Sequence, residues 1–311
     1  MEKKQLIICH LVAFLTVVVW GSTFVFTKLL LLNGLSPALI FTLRFIIAYV
    51  LLLAFAVIRA RNGRHPFRWL CSSWRDELLM LALGVTGGSL YFLMENEALR
   101  YTTTTNTSLI VCSCPLVAAL LISLFYRSER LRRLQVVGSL LAVAGVAVVV
   151  LNGRFVLHLS PIGDALALGA NLCWAFYSLI MIPVNKRYDA VFITRKVFFY
   201  GLLTIIPYYI YRPEELPAPF GQGPGFDVLF SSAVLGNLLF LGCIASMLCF
   251  LLWTWVMRRL GAVVATNYVY INPIATVIFA WWILSEKITP FFVVGSLLII
   301  LGMYLADRTH T

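Results

Sequence analysis

The chain has 311 residues, of which 61% are hydrophobic and 12% charged, against roughly 45–50% and about 25% in soluble domains. Mean hydropathy is +0.93 and the formal net charge is +11. These values exclude a water-solvated enzyme, a disordered chain, a collagen and a disulfide scaffold, and leave an all-α integral membrane protein. The Lys and Arg cluster in the breaks between apolar runs, as in an oriented membrane protein rather than a nucleic-acid binder.

A membrane-crossing helix takes about 20 apolar residues. Ten spans are expected, at 8–32, 37–58, 78–99, 103–125, 132–151, 162–184, 190–211, 228–257, 262–284 and 290–306. The first lacks a small-residue cleavage pattern and reads as a retained span. Trp20 lies near its centre, with Thr16, Thr23 and Thr27 on the same face, so that face should turn inward. Lys28 lies toward its far end. The second span opens on Ser36-Pro37, a capping hydroxyl before a first-turn proline, and carries Arg44.

In the third span Gly84, Gly88, Tyr91 and Glu95 share a face. Gly84 and Gly88 form a GxxxG pair that should seat a neighbouring helix. Pro115, with Ser113 beside it, breaks the fourth span, and should free the carbonyl of Val111. The fifth follows Ser128-Glu129, where a carboxylate suits a helix N-terminus.

Ser160-Pro161 opens the sixth span, and Asn171, Trp174 and Ser178 share its inner face. The loop from Arg212 to Asp227 is rich in Pro and Gly and should lack regular structure. Trp253, near the end of the eighth span, is placed in the interfacial aromatic belt. Asn272 and Pro273 interrupt the ninth as Pro115 does the fourth, pointing to the carbonyl of Val269. Thr289-Pro290 opens the tenth, after Ser285-Glu286.

Of the seven cysteines only Cys71 lies in a loop, and no spacing matches a zinc site or a redox pair. No Gly-rich phosphate loop or HExxH is present, so no cofactor and no metal is expected. With the N-terminus inside, eighteen Lys and Arg fall on the inner side and four on the outer. That bias puts both termini in the cytoplasm.

Val136-Val137-Gly138-Ser139-Leu140-Leu141 recurs as Val293-Val294-Gly295-Ser296-Leu297-Leu298, an offset of 157. Glu129 and Glu286 share the offset, as do Gly145 and Gly302, while Pro115 and Pro273 differ by 158 and Trp20 and Trp174 by 154. Residues 1–151 and 152–311 therefore read as two five-helix repeats. An odd number of spans per repeat inverts the second relative to the first, a transporter arrangement with its site at the repeat interface.

The chain resembles the drug/metabolite transporter superfamily, and within it the EamA-type ten-helix exporters. The resemblance rests on Trp20-Gly21-Ser22-Thr23-Phe24 with Lys28, on Arg44-Phe45, and on Ala98-Leu99-Arg100-Tyr101-Thr102. It continues through Pro115 with Glu129 and Gly138, Gly163-Asp164 with Trp174-Ala175, and Pro273 with Glu286 and Gly295. It implies a multi-pass carrier in the cytoplasmic membrane that exports small metabolites. The fifth helix of each half would be peripheral and the others would surround a central cavity.

Candidate solute-binding residues are Trp20, Thr23, Asn171, Trp174, Ser113, Pro115, Asn272, Pro273 and Tyr91. The two Trp either line a cavity, where they could stack on a solute, or fill a helix junction. Lys28, Arg44 and Glu95 lie at similar depth, and charges inside spans usually pair. Glu95 with Lys28 or Arg44 would gate the mouth, bind a solute carboxylate or form a structural salt bridge. The partners implied are the lipid bilayer and a small solute, an amino acid or similar amphipathic metabolite, and no nucleic acid. No feature fixes oligomeric state. A lipid or lipid-carrier flippase would share the architecture. An integral membrane enzyme fits less well, because the four His lie far apart in the chain.

Overall fold

The computed structural model describes residues 3–63, 67–101, 107, 110–126, 133–151, 160–285 and 288–307. Glu129, Glu286 and the side chain of Arg100 lie outside the described residues. The described parts of the spans are mainly helical, because a bilayer offers no water to backbone N–H and C=O groups and an α-helix bonds them internally. Among the described residues eight helices are long and apolar enough to cross a membrane, with shorter apolar helices at Cys114–Phe125 and Pro290–Ala306. Large apolar side chains such as Leu11, Phe14, Leu124 and Leu297 are exposed along them, as a lipid-facing surface requires.

The elements in chain order are α1 (Lys3–Leu32), α2 (Pro37–Arg61), α3 (Trp74–Gly84) and α4 (Leu90–Tyr101), the last two joined across a kink at Val85–Ser89, where Gly88 is non-helical. Then come α5 (Cys114–Phe125), α6 (Arg133–Leu151), α7 (Pro161–Arg187), α8 (Ala190–Tyr211), α9 (Phe226–Leu229) and α10 (Ser232–Leu239). A π segment, Phe240–Leu248, leads into α11 (Cys249–Leu260). Then α12 (Ala262–Asn267) passes through a 3-10 turn, Tyr268–Ile271, to α13 (Asn272–Leu284), and α14 (Pro290–Asp307) closes the chain.

Two of the three proline-start signals, Ser36-Pro37 and Ser160-Pro161, show the expected cap. Ser36 Oγ accepts from Leu39 N at 3.2 Å, and Ser160 Oγ from Gly163 N at 3.4 Å. Gly34, at φ +86, ends α1 in the left-handed conformation that glycine adopts without a Cβ penalty. The Arg212–Asp227 loop has more structure than expected. Pro213–Glu215 form a 3-10 turn, and the buried Glu215 accepts from Tyr208 Oη at 2.9 Å.

Two compact units divide the chain and cut across the sequence halves. The first comprises residues 1–25, 94–182 and 256–311, and the second 26–93 and 183–255. Within the first unit α6 and α14, each carrying one copy of the repeated hexapeptide, pack tightly together. A Cβ on Gly138 would lie 2.5 Å from Gly302 O, and one on Gly145 would lie 2.7 Å from Gly295 O. Ala306 N is 2.5 Å from the Gly138 position, and Val149 N is 2.8 Å from the Gly295 position. Contact numbers rise on one helix as they fall on the other, so the helices are antiparallel. Exchanging each residue for its counterpart 157 positions away maps this contact set onto itself, as a local two-fold demands.

The second unit is centred on aromatic rings. Phe45 lies 4.3 Å from Phe41, 4.7 Å from Phe198 and 6.1 Å from Phe250, centroid to centroid, and all four are buried. Edge-to-face pairs of this kind contribute about 0.5–1.5 kcal/mol each beyond area burial. Gly84 and Gly88 admit α8: a Cβ on Gly84 would overlap Tyr200 Cβ, and one on Gly88 would lie 3.3 Å from Gly201 Cα. The GxxxG pair thus seats a helix.

Candidate functional site

The expected aromatic pair is formed in the first unit. Trp20 and Trp174 meet edge to face, with centroids 5.7 Å apart and planes at 86°, and Tyr177 lies 5.2 Å beyond Trp174. Both Trp are buried. A hydroxyl one turn on donates to each Trp carbonyl: Thr23 Oγ1 to Trp20 O at 2.7 Å, and Ser178 Oγ to Trp174 O at 2.9 Å.

Polar groups collect around the two interrupted helices. Asn171 Nδ2 donates to Ile110 O at 2.6 Å and to Ser113 Oγ at 2.9 Å. Thr276 Oγ1 lies 3.0 Å from Gly21 O and 2.9 Å from Asn272 O. Pro115 and Pro273 both stand in the first turn of a helix, α5 and α13, where a missing N–H costs nothing. Of the two carbonyls expected to be freed, Val269 O instead accepts the Asn272 N–H within the 3-10 turn. On the other side Asn171 reaches Ile110 O, one residue before Val111.

Several buried polar atoms here lack a hydrogen-bond partner among the described residues. They are Thr16 Oγ1, Asn171 Oδ1, Asn272 Oδ1 and both amide atoms of Asn267. An unmade hydrogen bond in such a place costs about 1–3 kcal/mol. Asn267 was not singled out from sequence; its signal is an amide five residues before Asn272 in an apolar run.

In the second unit Arg44 is buried, its Nε donating to Ser246 Oγ at 2.8 Å and its guanidinium lying 5.3 Å from the Phe92 centroid. Ser246 sits in the π segment Phe240–Leu248, which packs against α2. The other interruption, Val85–Ser89, packs against α8 and is a kink, with Gly88 non-helical at φ −128, ψ −109. Subtracting the repeat offset of 157 from Gly242 gives Val85, so the two interruptions occupy matched positions. Matched interruptions of this kind mark transporter binding regions. Tyr91 is half-buried one turn past the first of them, its ring 5.1 Å from Phe92. Lys28 is exposed and Glu95 half-buried. Trp253 corrects the belt assignment: it is fully buried, because α11 turns that face into the unit.

A polar network at the start of α3 was also missed. Asp76 is buried and accepts from Arg187 and from Tyr188 Oη, the latter at 2.8 Å. Glu77 binds Lys196 and Tyr200 Oη, and accepts from Cys71 N at 2.7 Å. Burial, then the hydrogen bond and charge of Glu77, push the Cys71 thiol up to about 12. Burial likewise raises the Tyr188 phenol. The available signal was Ser73-Trp74-Arg75-Asp76, a helix start whose acidic residues suit the N-terminal dipole; Ser73 Oγ does accept from Asp76 N at 3.2 Å.

The profile of the EamA-like transporter family matches residues 7–151 and again 161–306. The chain belongs to the EamA-like transporter family. It is a multi-pass membrane transporter. An uncharacterized transporter of Archaeoglobus fulgidus is 28% identical over 298 residues, covering 95% of this chain and 96% of that one. A probable terminal-alkyne amino-acid exporter of Streptantibioticus cattleyicolor is 26% identical over 295 residues, 94% of this chain and 91% of its own. The uncharacterized inner membrane transporter YedA of Escherichia coli K12 is 25% identical over 319 residues, 98% and 94%. A solved crystal structure shares the fold, with a TM-score of 0.76 at 17% identity and coverage of 97% and 98%. In this EamA relative Trp20 and Pro115 lie in the first matched region, and Trp174 and Pro273 in the second.

Proposed function

We propose that this protein is a secondary carrier that exports small amphipathic metabolites, amino acids or related compounds, by alternating access across the cytoplasmic membrane, with both termini inside. The observation that carries the proposal is the buried Trp20–Trp174 pair in the same unit as amide oxygens of Asn171 and Asn272 that have no partner among the described residues. An aromatic face and unpaired hydrogen-bonding groups are what an amphipathic solute needs. The exporter named for a terminal-alkyne amino acid supports the direction and the solute class. The excess of Lys and Arg on one side supports the orientation.

Purified protein in proteoliposomes, screened for counterflow of labelled amino acids and related compounds, tests this. Trp20→Ala and Trp174→Ala should each lower flux at least tenfold, while Trp282→Ala, 72% exposed, should leave it unchanged. Equal flux in all three variants would remove the aromatic pair from the transport path. Movement of labelled lipid with no flux of any soluble solute would favour a flippase instead.

A further inference from the structure

At one end of the second unit, the end the charge count assigns to the cytoplasm, a cleft of about 200 Å³ opens between the tip of α2, the segment before α3 and the α7–α8 turn. Four guanidinium groups line it: Arg59, Arg68, Arg187 and Arg195. Asp189 is the one carboxylate in the lining among the described residues. Asp189 and the nearby Asp76 are already engaged. Asp189 lies 3.5 Å from Arg59 and caps α8 by accepting from Val191 N and Phe192 N. Asp76 is held by Arg187 and Tyr188.

Arg195 is the deepest of the four. It is 4% exposed, with its guanidinium 4.5 Å from the Phe67 centroid and 5.4 Å from that of Phe192, and it donates to Arg68 O. No carboxylate among the described residues lies within ion-pair distance of it or of Arg68. A buried cation with no carboxylate in ion-pair reach is costly; with Arg59 and Arg187 offset by Asp189 and Asp76, the cleft keeps the excess positive charge of Arg68 and Arg195. A bound anion removes that cost. Guanidinium groups suit phosphate, whose oxygens accept their planar forks.

The surroundings identify the carrier of the phosphate. Trp69, 61% exposed, has its ring 5.7 Å from the Arg195 guanidinium, and Leu70 and Trp74, 69% and 70% exposed, follow it in the chain, with Arg75 over the Trp74 ring at 5.9 Å. Exposed Trp and Leu next to Arg belong at the head-group level of a bilayer. Basic pockets at this level bind anionic lipid head groups. We propose that the cleft binds the phosphate of an anionic phospholipid whose acyl chains lie against Trp69 and Leu70. The proposal does not rest on the solute assignment.

Binding of dioctanoyl phosphatidylglycerol to the purified full-length protein in detergent, followed by native mass spectrometry, tests it. Dioctanoyl phosphatidylcholine, inorganic phosphate and an Arg133→Gln control run in parallel. The anionic lipid should bind saturably and the zwitterionic one should not. Arg59 and Arg68 have their side chains at the rim, so Arg59→Gln/Arg68→Gln should fold normally and bind about 20- to 30-fold more weakly. Arg195→Gln should lose binding. Arg133→Gln should bind as the parent does. Equal binding of both lipids, or unchanged affinity in the rim double variant, would overturn the proposal. So would a cleft that inorganic phosphate fills and phosphatidylglycerol cannot compete for, since that outcome points to a soluble anion.

Discussion

Gly138→Leu is the most informative single perturbation of the fold. A Cβ at this position would lie 2.5 Å from both Gly302 O and Ala306 N, where ordinary contact begins near 3.5 Å. The helices α6 and α14 would have to part by roughly 1 Å, enough to forfeit a quarter to a half of the dispersion energy along their seam. Overpacking of this kind costs about 1–3 kcal/mol, and leucine lies at the upper end. Glycine's poor helix propensity returns up to about 1 kcal/mol, leaving a net loss of about 2 kcal/mol. At roughly 2–4 °C per kcal/mol the melting temperature should fall by about 4–8 °C. Thermal unfolding in detergent, read by size-exclusion fluorescence, measures it. The local two-fold makes a sharper demand. Gly295→Leu occupies the equivalent position and should lose the same amount. Gly138→Leu/Gly302→Leu should lose less than the sum, because both leucines force the same separation. A Gly138→Leu protein that melts like the parent, or a Gly295→Leu protein that does so while Gly138→Leu does not, would refute the symmetry argument.

Three further outcomes are expected. Ser246→Ala removes the acceptor of the buried Arg44 Nε, so stability should drop by about 1–3 kcal/mol; an unchanged melting curve would mean that Arg44 relies on its other contacts. Cys71, its thiol pushed up from 9.0 to about 12, should hold about a thousandth of the usual thiolate near neutral pH. In a background with the other six cysteines replaced it should therefore label with maleimide far more slowly than a cysteine at Ser72, and Glu77→Gln should speed it; rapid labelling of the parent would contradict the burial argument. A cysteine at Gly221 in the Arg212–Asp227 loop should react from the extracellular side, and labelling from the cytoplasm alone would invert the topology.

The ten spans were legible because apolar length is a property of each segment by itself. Their starts were legible where a Ser-Pro pair both capped the helix and set its first φ, as at Ser36-Pro37. The repeat was legible because an identical hexapeptide survives in both halves, and its antiparallel pairing follows from an odd number of crossings. The Trp pair was legible as two central rings on polar faces, although their mutual contact needed the fold. What escaped was non-local or left no compositional trace. Asp76 and Glu77 look like ordinary first-turn acids until the chain returns, more than a hundred residues later, with Arg187, Tyr188, Lys196 and Tyr200. Trp253 has the address of a belt residue, but which face of α11 is covered depends on neighbours far away in sequence. A π segment adds one residue to a turn inside an apolar run, and hydropathy does not register it.

Those two interruptions give the third helix of each half a degree of freedom that a plain helix lacks. Phe240–Leu248 is wound with wider turns, and Gly88 breaks the helix at a kink, so beyond each the register departs from that of a plain helix. Sliding an extra residue along the helix would rotate the residues it passes by about 100°, and absorbing it into regular α-helix would rotate everything downstream by about as much. Past the first segment the rotation would swing Phe92 off the Arg44 guanidinium. Within the second it would withdraw Ser246 from Arg44 Nε. The same arginine therefore senses the winding state of both helices, and a change of twist in either could redraw its environment without any helix being displaced as a rigid rod.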